Sequence, residues 1–276
     1  MGLRRSTYYY RSKAASVEER KEEADLRDRI EEIVVEYARY GYRRVTWQLK
    51  REGWEINHKR VARVMREESL QCQVKRRWVK TTDSDHGYRV YPNRLKGLEV
   101  NRPNQVWVAD ITYIRIVVGF LYLAVVLDLY SRKVIGWALS DKIDAELSVE
   151  ALRMALEQRG EVKGCIHHSD RGVQYACQDY VDELWGAGLE ISMARKGNPY
   201  DNAAAESFMK TLKCEEVYLW DYQTVEDVKK RIPYFLEEVY NQKRLHSALG
   251  YCPPNEYERA WQRGYSVIHP GRDRRL

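Results

Sequence analysis

The sequence predicts an α/β fold, in which a mixed five-stranded sheet with flanking helices follows a small all-α helix-turn-helix domain. Two observations lead to this fold class. Beyond residue 103, short apolar runs of strand length alternate with segments of helical periodicity. Before residue 75, three short segments of helical periodicity are punctuated by glycines where helices would stop.

The apolar pattern places the strands and helices of the larger domain. Residues 121–129 form a nearly continuous apolar run, as expected of a central buried strand. Further strands are predicted at residues 106–114, 133–139, 165–168 and 189–193, and helices at 145–158, 179–185 and 203–217. Three antiparallel strands followed by helix-linked strands give the element order of the ribonuclease-H-like fold, an analogy that does not by itself establish function.

Three helices are predicted in the first domain. Apolar residues share one face of residues 25–40, a second short helix covers residues 45–50, and Asn57 suits the N-cap of a third. A tight turn at Gly53 makes the last two helices a helix-turn-helix arrangement. The third helix should present side chains that contact phosphates and guanine edges in a major groove: His58, Lys59, Arg60, Arg63 and Arg66. The alternative is a three-helix bundle with an ordinary basic face.

The charges are unevenly distributed along the chain. Residues 1–102 contain 25 Lys/Arg and 16 Asp/Glu, a balance of +9, whereas residues 103–276 contain 22 and 25, a balance of −3. A basic module joined to a mildly acidic one is expected if the first binds a polyanion and the second binds metal ions. Charge alone is explained equally well by a solvated surface.

We divide the chain into an N-terminal arm (1–20), the helix-turn-helix domain (21–75), a basic linker (76–102), the α/β core (103–265) and a C-terminal tail (266–276). The linker contains Arg76 and Arg77, and aromatic residues are interleaved with its charges. Such a segment either lies along a nucleic-acid backbone or is a plain connector.

Composition excludes several other classes of protein. The five cysteines are scattered and none has the spacing of a zinc site, so we expect reduced, mostly buried thiols. No stretch approaches 18 uncharged apolar residues, and residues 1–10 lack the apolar region of a signal peptide. The sequence therefore predicts a soluble, cytoplasmic protein with no membrane partner.

Three acidic residues carry the functional prediction: Asp110, Asp170 and Glu206. Asp110 lies mid-strand among apolar neighbours, where an ionised carboxylate is costly unless it meets a cation. Asp170 follows a strand and Glu206 begins a helix, so the three can converge at one end of the sheet. Oxygen ligands suit Mg²⁺ or Mn²⁺, and two such ions about 3.5–4 Å apart promote in-line phosphoryl transfer. Other acids are expected mostly at surface or capping positions: Asp128, Asp141, Asp144 and Asp201.

Three segments surround these acids: residues 107–113 (WVADITY), 168–175 (HSDRGVQY) and 202–208 (NAAAESF). Between Asp170 and Glu206 lie 35 residues, and Lys213 follows the glutamate by seven positions. In all these respects the chain resembles insertion-sequence transposases related to retroviral integrases. Residues 3–9 (LRRSTYY), 40–45 (YGYRRV) and 240–251 (YNQKRLHSALGY) resemble further segments of the second reading frame, OrfB, of IS-three-type elements.

The resemblance implies a DDE transposase with an integrase-type core. Asp110 and Asp170 would bind metal, and Glu206 would complete a second metal site. Lys213 would contact substrate phosphate, with Lys210 as a weaker candidate, although either could be a solvated helix lysine.

Each of three further residues has two alternative roles. His168 and Asn202 are expected behind the metal ligands, where they orient ligands or DNA. The alternatives are a core histidine and a capping or loop asparagine. Arg244 is expected to line a DNA groove or, equally, to cap the end of a helix.

The implied reaction frees a 3′-OH at a transposon end by hydrolysis, and that 3′-OH then attacks another phosphodiester. Double-stranded DNA, a homo-oligomer on DNA and an upstream OrfA region or protein are the expected partners. The sequence has neither the zinc module of retroviral integrases nor a leucine-zipper region. A nuclease without strand transfer and a DNA-binding regulator are the competing hypotheses; the family spacing opposes the first and the three intact acids oppose the second.

Overall fold

The computed structural model describes residues 17–72, 88–117, 119–195 and 199–264. These residues fall into two compact units, of which the first ends within the described chain at Cys72 and the second begins at Tyr88. Among the described residues, no helix combines the length and the apolar composition that a membrane crossing needs.

The first unit consists of three helices: α1 (Val17–Glu36), α2 (Tyr42–Arg51) and α3 (His58–Glu67). Their apolar faces form one small core, which contains the buried side chains of Leu26, Ile30, Ile33, Val45, Leu49, Val61 and Val64. Asn57 caps α3 as predicted, because its side chain accepts a hydrogen bond from the backbone N–H of Lys59 at 2.9 Å. The predicted helix-turn-helix arrangement is confirmed.

Helix α1 begins earlier than the predicted residue 25 and ends at Glu36 rather than at residue 40. Its first half is charged and has no apolar face, so periodicity does not detect it. Glu22 and Glu23 instead form ion pairs with Arg60 of α3 at 2.9 and 2.8 Å, which gives this half its tertiary partners. After α1 the chain turns, and Tyr40 is buried with its ring on that of Tyr37.

The second unit contains five strands: β1 (Val106–Ile116), β2 (Gly119–Asp128), β3 (Val134–Ser140), β4 (Ile166–Ser169) and β5 (Glu190–Met193). Their order across the sheet is β3-β2-β1-β4-β5. The β1–β2 and β2–β3 pairs are antiparallel, and the β1–β4 and β4–β5 pairs are parallel. The predicted mixed sheet of a ribonuclease-H-like fold is thus confirmed, with β1 at its centre.

Helices cover both faces of this sheet. In chain order they are α4 (Ala145–Arg159), α5 (Val173–Ala176), α6 (Gln178–Gly186), α7 (Ala203–Leu212), α8 (Val225–Tyr234) and α9 (Pro254–Gln262). Helices α4 and α6 pack on the face that contains Trp107 and Ala109 of β1. Helices α7 and α8 pack on the opposite face, with Val106 and Val108. Two π-helical segments, Lys213–Val217 and Phe235–Lys243, continue α7 and α8.

Gly136 permits the close approach of α4 to the sheet. A Cβ atom at this position would lie 2.2 Å from the carbonyl oxygen of Ala151 and 2.8 Å from the Cβ of Ala155. Both of those residues belong to α4, so no larger residue fits without displacing the helix.

The predicted linker is wrong for residues 88–102, which pack against the sheet unit. Tyr91 contacts one hydrophobic core, and Leu95 and Val100 contact the other. The backbone N–H of Arg94 donates to Ser192 Oγ at 2.9 Å on strand β5. Because glycine and proline interrupt this segment, it has no periodicity, although its apolar side chains still supply tertiary contacts.

Candidate carboxylate site

Strand register brings Asp110 and Asp170 to equivalent positions on neighbouring chain segments. Val108 of β1 pairs with His168 of β4 in the parallel register, and each aspartate lies two residues further along. Adjacent strands are about 4.8 Å apart. Side chains alternate along a strand, so Asp110 shares the face of Val108, which α7 covers.

A tight turn after β4 orients Asp170. The backbone N–H of Gly172 donates to Asp170 Oδ1 at 2.8 Å. A Cβ atom on Gly172 would lie 2.9 Å from that same oxygen, so a larger residue here would displace the carboxylate. The Nε of Arg171 donates to the carbonyl of Ala194 at 2.8 Å and ties the turn to the end of β5.

Glu206 lies in the first turn of α7, whose Ala205, Phe208 and Met209 anchor it on the sheet. Partial burial raises the pKa of the Glu206 carboxyl. Within the described parts of the chain, no three His, Cys, Asp or Glu side chains stand close enough together to hold one metal ion. The three acids are therefore electrostatic neighbours and not a closed ligand shell.

The charge of Asp110 is strongly disfavoured in this environment. Burial, the negative charge of Asp170 and the more weakly acting charge of Glu206 raise its pKa to about 8. The backbone N–H of Ile111, 2.9 Å from Oδ1, and the charge of Lys213 act in the opposite direction. The charges of Asp170 and Glu206 both oppose ionisation of Asp110, so a divalent cation would stabilise this set of oxygen donors, and the residues fit such an ion.

Lys210 and Lys213 follow Glu206 by four and seven residues and therefore share its side of the helix. Lys210 is exposed. Lys213 begins the π-helical segment, and its Nζ lies 4.4 Å from the centroid of the Tyr113 ring on β1. Burial lowers the pKa of Lys213, and the charge of Asp110 partly opposes this. The predicted basic residue thus contributes positive charge at the carboxylates.

His168 and Asn202 are both buried behind the acids. His168 Nδ1 lies 2.8 Å from Ser192 Oγ, and burial lowers the pKa of His168 to about 4, so the imidazole is neutral at pH 7. The Asn202 amide donates to the carbonyl of Ala109 at 3.3 Å, next to Asp110, and makes no capping hydrogen bond to α7. Asn202 thus occupies the N-cap position of α7 without a side-chain capping bond.

Three other acids have separate structural partners. Asp144 caps α4 by accepting from Leu147 N at 3.2 Å, and Asp201 is ion-paired with Arg195 at 3.1 Å. Asp128 is fully buried and accepts two backbone N–H groups of the β2–β3 turn and a third from Asn104, just before β1. Two of these acids fit the predicted capping and surface positions, while Asp128 is a buried turn residue.

Comparison with known families agrees with this arrangement. Residues 100–199 and 187–254 match two models described as integrase core domain, and residues 20–78 match an HTH-like domain. The insertion element IS600 uncharacterized 31 kDa protein of Shigella sonnei is 41% identical over 78% of this chain and 79% of its own length. Transposase InsF for insertion sequence IS3A of Escherichia coli is 39% identical over 80% and 77%, respectively. The chain belongs to the IS3 family of insertion-sequence transposases.

It is thus a DDE transposase with an integrase catalytic core, and its family implies dependence on a divalent metal and binding to DNA. Among solved structures, the simian T-cell lymphotropic virus intasome in complex with PP2A regulatory subunit B56 gamma is similar. That similarity has a TM-score of 0.49 and 13% identity, over 83% of this chain and 74% of the other.

Arg244 of the transposase is the C-cap residue of the Phe235–Lys243 helix, and its side chain is buried. Its side chain is 4% exposed and forms a paired contact with Glu215, at 2.6 Å from Nε and 2.7 Å from Nη2. The segment after the Phe235–Lys243 helix turns inwards, because His246 and Leu249 are buried as well. Spacing alone does not distinguish an inward arginine from an outward one.

The basic residues of helix α3 differ in their surroundings. Lys59 and Arg66 are exposed. Arg60 pairs with Glu22 and Glu23, and Arg63 pairs with Glu23 at 2.7 Å and Glu67 at 3.0 Å, so these arginines are partly neutralised within the unit. Arg76 and Arg77 lie outside the described residues.

Two residues at the site were not singled out by sequence reasoning, although both belong to the quoted motifs. Tyr113 supports Lys213, and Tyr175 lies directly behind the Asp170 turn. An aromatic residue in an apolar pattern is usually assigned to the core, and only spatial proximity separates these two from ordinary core residues.

Proposed function

We propose that this transposase cleaves the 3′ ends of an insertion sequence and joins them to target DNA. Asp110 and Asp170 bind the divalent metal, and Glu206 completes a second metal site, with two Mg²⁺ ions per site and Mn²⁺ as a substitute. The observation that supports this proposal is the parallel register of β1 and β4, in which Asp110 and Asp170 each lie two residues beyond the Val108–His168 pair.

The reaction consists of two phosphoryl transfers without a covalent enzyme intermediate. Water attacks a phosphodiester at the transposon end, the P–O3′ bond breaks, and the 3′ oxygen leaves as a hydroxyl. That 3′-OH then attacks a target phosphodiester, forming a new P–O bond and releasing the target 3′-OH. Divalent ions held by Asp110, Asp170 and Glu206 would activate the attacking oxygen and stabilise the leaving oxygen.

The side chains around the acids position the substrate. Lys213, and more weakly Lys210, bind a phosphate of the transposon end as point charges. Asn202 fixes the strand backbone at Ala109, and neutral His168 fixes β4 against β5 through Ser192. Catalysis in this proposal is positioning together with electrostatic stabilisation.

The helix-turn-helix unit holds DNA in this proposal through Lys59, Arg60, Arg63 and Arg66. Arg76 and Arg77 of the basic linker contribute further DNA contacts. Arg244 is not included, because it is buried. Two DNA ends must be held together for joining, so the active form is a homo-oligomer on DNA. An OrfA region or protein supplies further recognition of the ends.

A joining assay with labelled transposon-end DNA tests the proposal. The wild type and Asp170→Asn are compared in Mg²⁺, in Mn²⁺ and in EDTA, with DNA binding measured in parallel by fluorescence anisotropy. Metal-dependent joined products that disappear in the variant, while DNA binding stays within about twofold, are the expected result. Cleavage without joining would favour a nuclease, and binding with no chemistry in either metal would favour a DNA-binding regulator.

A further inference from the structure

Tyr175 carries a buried hydroxyl group with an unmade hydrogen bond. It lies on the short helix α5, five residues after Asp170, and its side chain is 3% exposed. Among the described residues, no polar atom lies within hydrogen-bond distance of its hydroxyl. A buried hydroxyl without a partner costs about 1–3 kcal/mol. We therefore expect the Tyr175 hydroxyl to form a hydrogen bond in another state of the protein.

The neighbouring polar groups on the apolar side of Tyr175 do not supply that partner. The Tyr180 hydroxyl lies 2.8 Å from His167 Nε2, so these two groups satisfy each other. The Tyr175 ring packs edge-on against the Tyr180 ring, with centroids 5.4 Å apart, and tilted against His167 at 6.5 Å. The ring is therefore held on this side by aromatic packing alone.

Another edge of Tyr175 lies beside the turn that contains Asp170. The position of a Cβ atom on Gly172 would lie 2.9 Å from Asp170 Oδ1 and 3.6 Å from Cδ2 of Tyr175, so ring and carboxylate border the same point. The backbone N–H of Tyr175 donates to Gly172 O at 3.0 Å, which fixes the helix to the Asp170 turn. After burial and Tyr180, the charges of Asp110 and Asp170 contribute to raising the pKa of Tyr175 well above its ordinary value.

We propose that Tyr175 is a positioning residue of the carboxylate site, whose hydroxyl donates a hydrogen bond to the Asp110–Asp170 pair when a divalent cation draws the carboxylates together. This inference rests on the proposed function, since it takes those two aspartates as metal ligands. Such a bond orients a ligating carboxylate and keeps it ionised, as groups behind metal ligands generally do. Tyr175 remains a protonated donor throughout.

Tyr175→Phe tests this role because it removes the hydroxyl and keeps the ring that packs against Tyr180. Tyr180→Phe is the matched control: it also removes one buried phenol hydroxyl, but one that bonds His167 and not the acids. Asp110→Asn, which removes a proposed metal ligand, shows the Mn²⁺ affinity expected when the metal site is lost. The full-length chain is titrated with Mn²⁺ alone, and bound ion is measured by electron paramagnetic resonance. The Mg²⁺ concentration for half-maximal joining is measured on the same samples.

Tyr175→Phe is expected to bind Mn²⁺ about tenfold more weakly than the wild type and to need about tenfold more Mg²⁺ for half-maximal joining, with activity recovering at saturating metal. Tyr180→Phe should match the wild type in both measurements. Equal Mn²⁺ affinity of Tyr175→Phe and the wild type would overturn the Tyr175 role while leaving the proposed function intact. Equal affinity of Asp110→Asn and the wild type would instead overturn the proposed metal site itself.

Discussion

Lys213 and Tyr113 form a cation–π contact in which the ammonium nitrogen lies 4.4 Å from the ring centroid. The contact joins the first residue of the π-helical segment to strand β1, three residues beyond Asp110. A lysine seven residues after Glu206 is thereby held near the carboxylates while its pKa is lowered by burial. We infer that Tyr113 presents the lysine to a DNA phosphate.

Lys213→Gln is expected to weaken binding of transposon-end DNA regardless of sequence and to reduce the slope of log affinity against log salt by about one, because one phosphate contact is lost. Fluorescence anisotropy between about 50 and 200 mM salt measures this slope. Lys229→Gln, an exposed lysine of α8, is the matched control. An unchanged slope in Lys213→Gln would identify the residue as a structural or solvated lysine.

The raised pKa of Asp110 predicts a pH-dependent stability in EDTA. The carboxyl has an ordinary pKa of 3.8 in the unfolded chain and a pKa of about 8 in the folded one. Between these values the folded chain keeps a proton that the unfolded chain has released, so this group lowers stability as pH rises and contributes no slope outside that window. Asp110→Asn has no such titration.

The melting temperature of Asp110→Asn minus that of the wild type should therefore increase by several degrees from pH 4 to pH 8. Taking the difference removes the contributions of the groups that both proteins share. Thermal unfolding followed by circular dichroism gives both values. A difference that stays constant across this range would show that Asp110 ionises freely in the fold.

Arg244 is predicted to stabilise the fold rather than bind DNA. Arg244→Ala leaves the carboxylate of Glu215 without its paired cation, and breaking a buried pair costs about 3–5 kcal/mol. Urea denaturation measures this loss. Arg153→Ala, which breaks an exposed pair with Glu183, should change the unfolding free energy little. A fully stable Arg244→Ala with weaker, less salt-sensitive DNA binding would return Arg244 to the DNA interface.

Glu23 is predicted to limit DNA binding by helix α3, since it pairs with both Arg60 and Arg63. Glu23→Gln removes that competing charge, so DNA affinity at low salt should rise and the salt slope should steepen by about one. The same anisotropy titration measures both quantities. The control is Glu31→Gln, because Glu31 is exposed and belongs to α1 as Glu23 does. Identical behaviour of the two variants would mean that Arg60 and Arg63 serve only the packing of the unit.

Local sequence patterns were sufficient to predict most of the helices and strands. Strand β2 and helix α4 appear in the sequence because each has an apolar periodicity of its own, and Asn57 has a local capping role. The pairing of β1 with β4, which aligns Asp110 with Asp170, follows from the element order of the fold.

Features that depend on distant partners were not predictable in this way. Residues 88–102 lack periodicity and gain their structure from contacts with the sheet. Arg244 is buried because Glu215 lies 29 positions away in sequence yet adjacent in space. In the sequence Tyr175 resembles any core aromatic residue. Only the structure shows that its buried hydroxyl has no hydrogen-bond partner among the described residues.

Substitution of Glu206 tests the three-acid site most directly. The register of β1 and β4 aligns only the two aspartates, whereas Glu206 lies on helix α7. End cleavage and joining are measured for the wild type, Glu206→Gln and Asp221→Asn, an exposed acid of the same unit. We expect Glu206→Gln to lose both steps by at least about a hundredfold while it binds end DNA normally, and Asp221→Asn to be fully active. Cleavage and joining at the wild-type rate in Glu206→Gln would contradict a site built from all three acids.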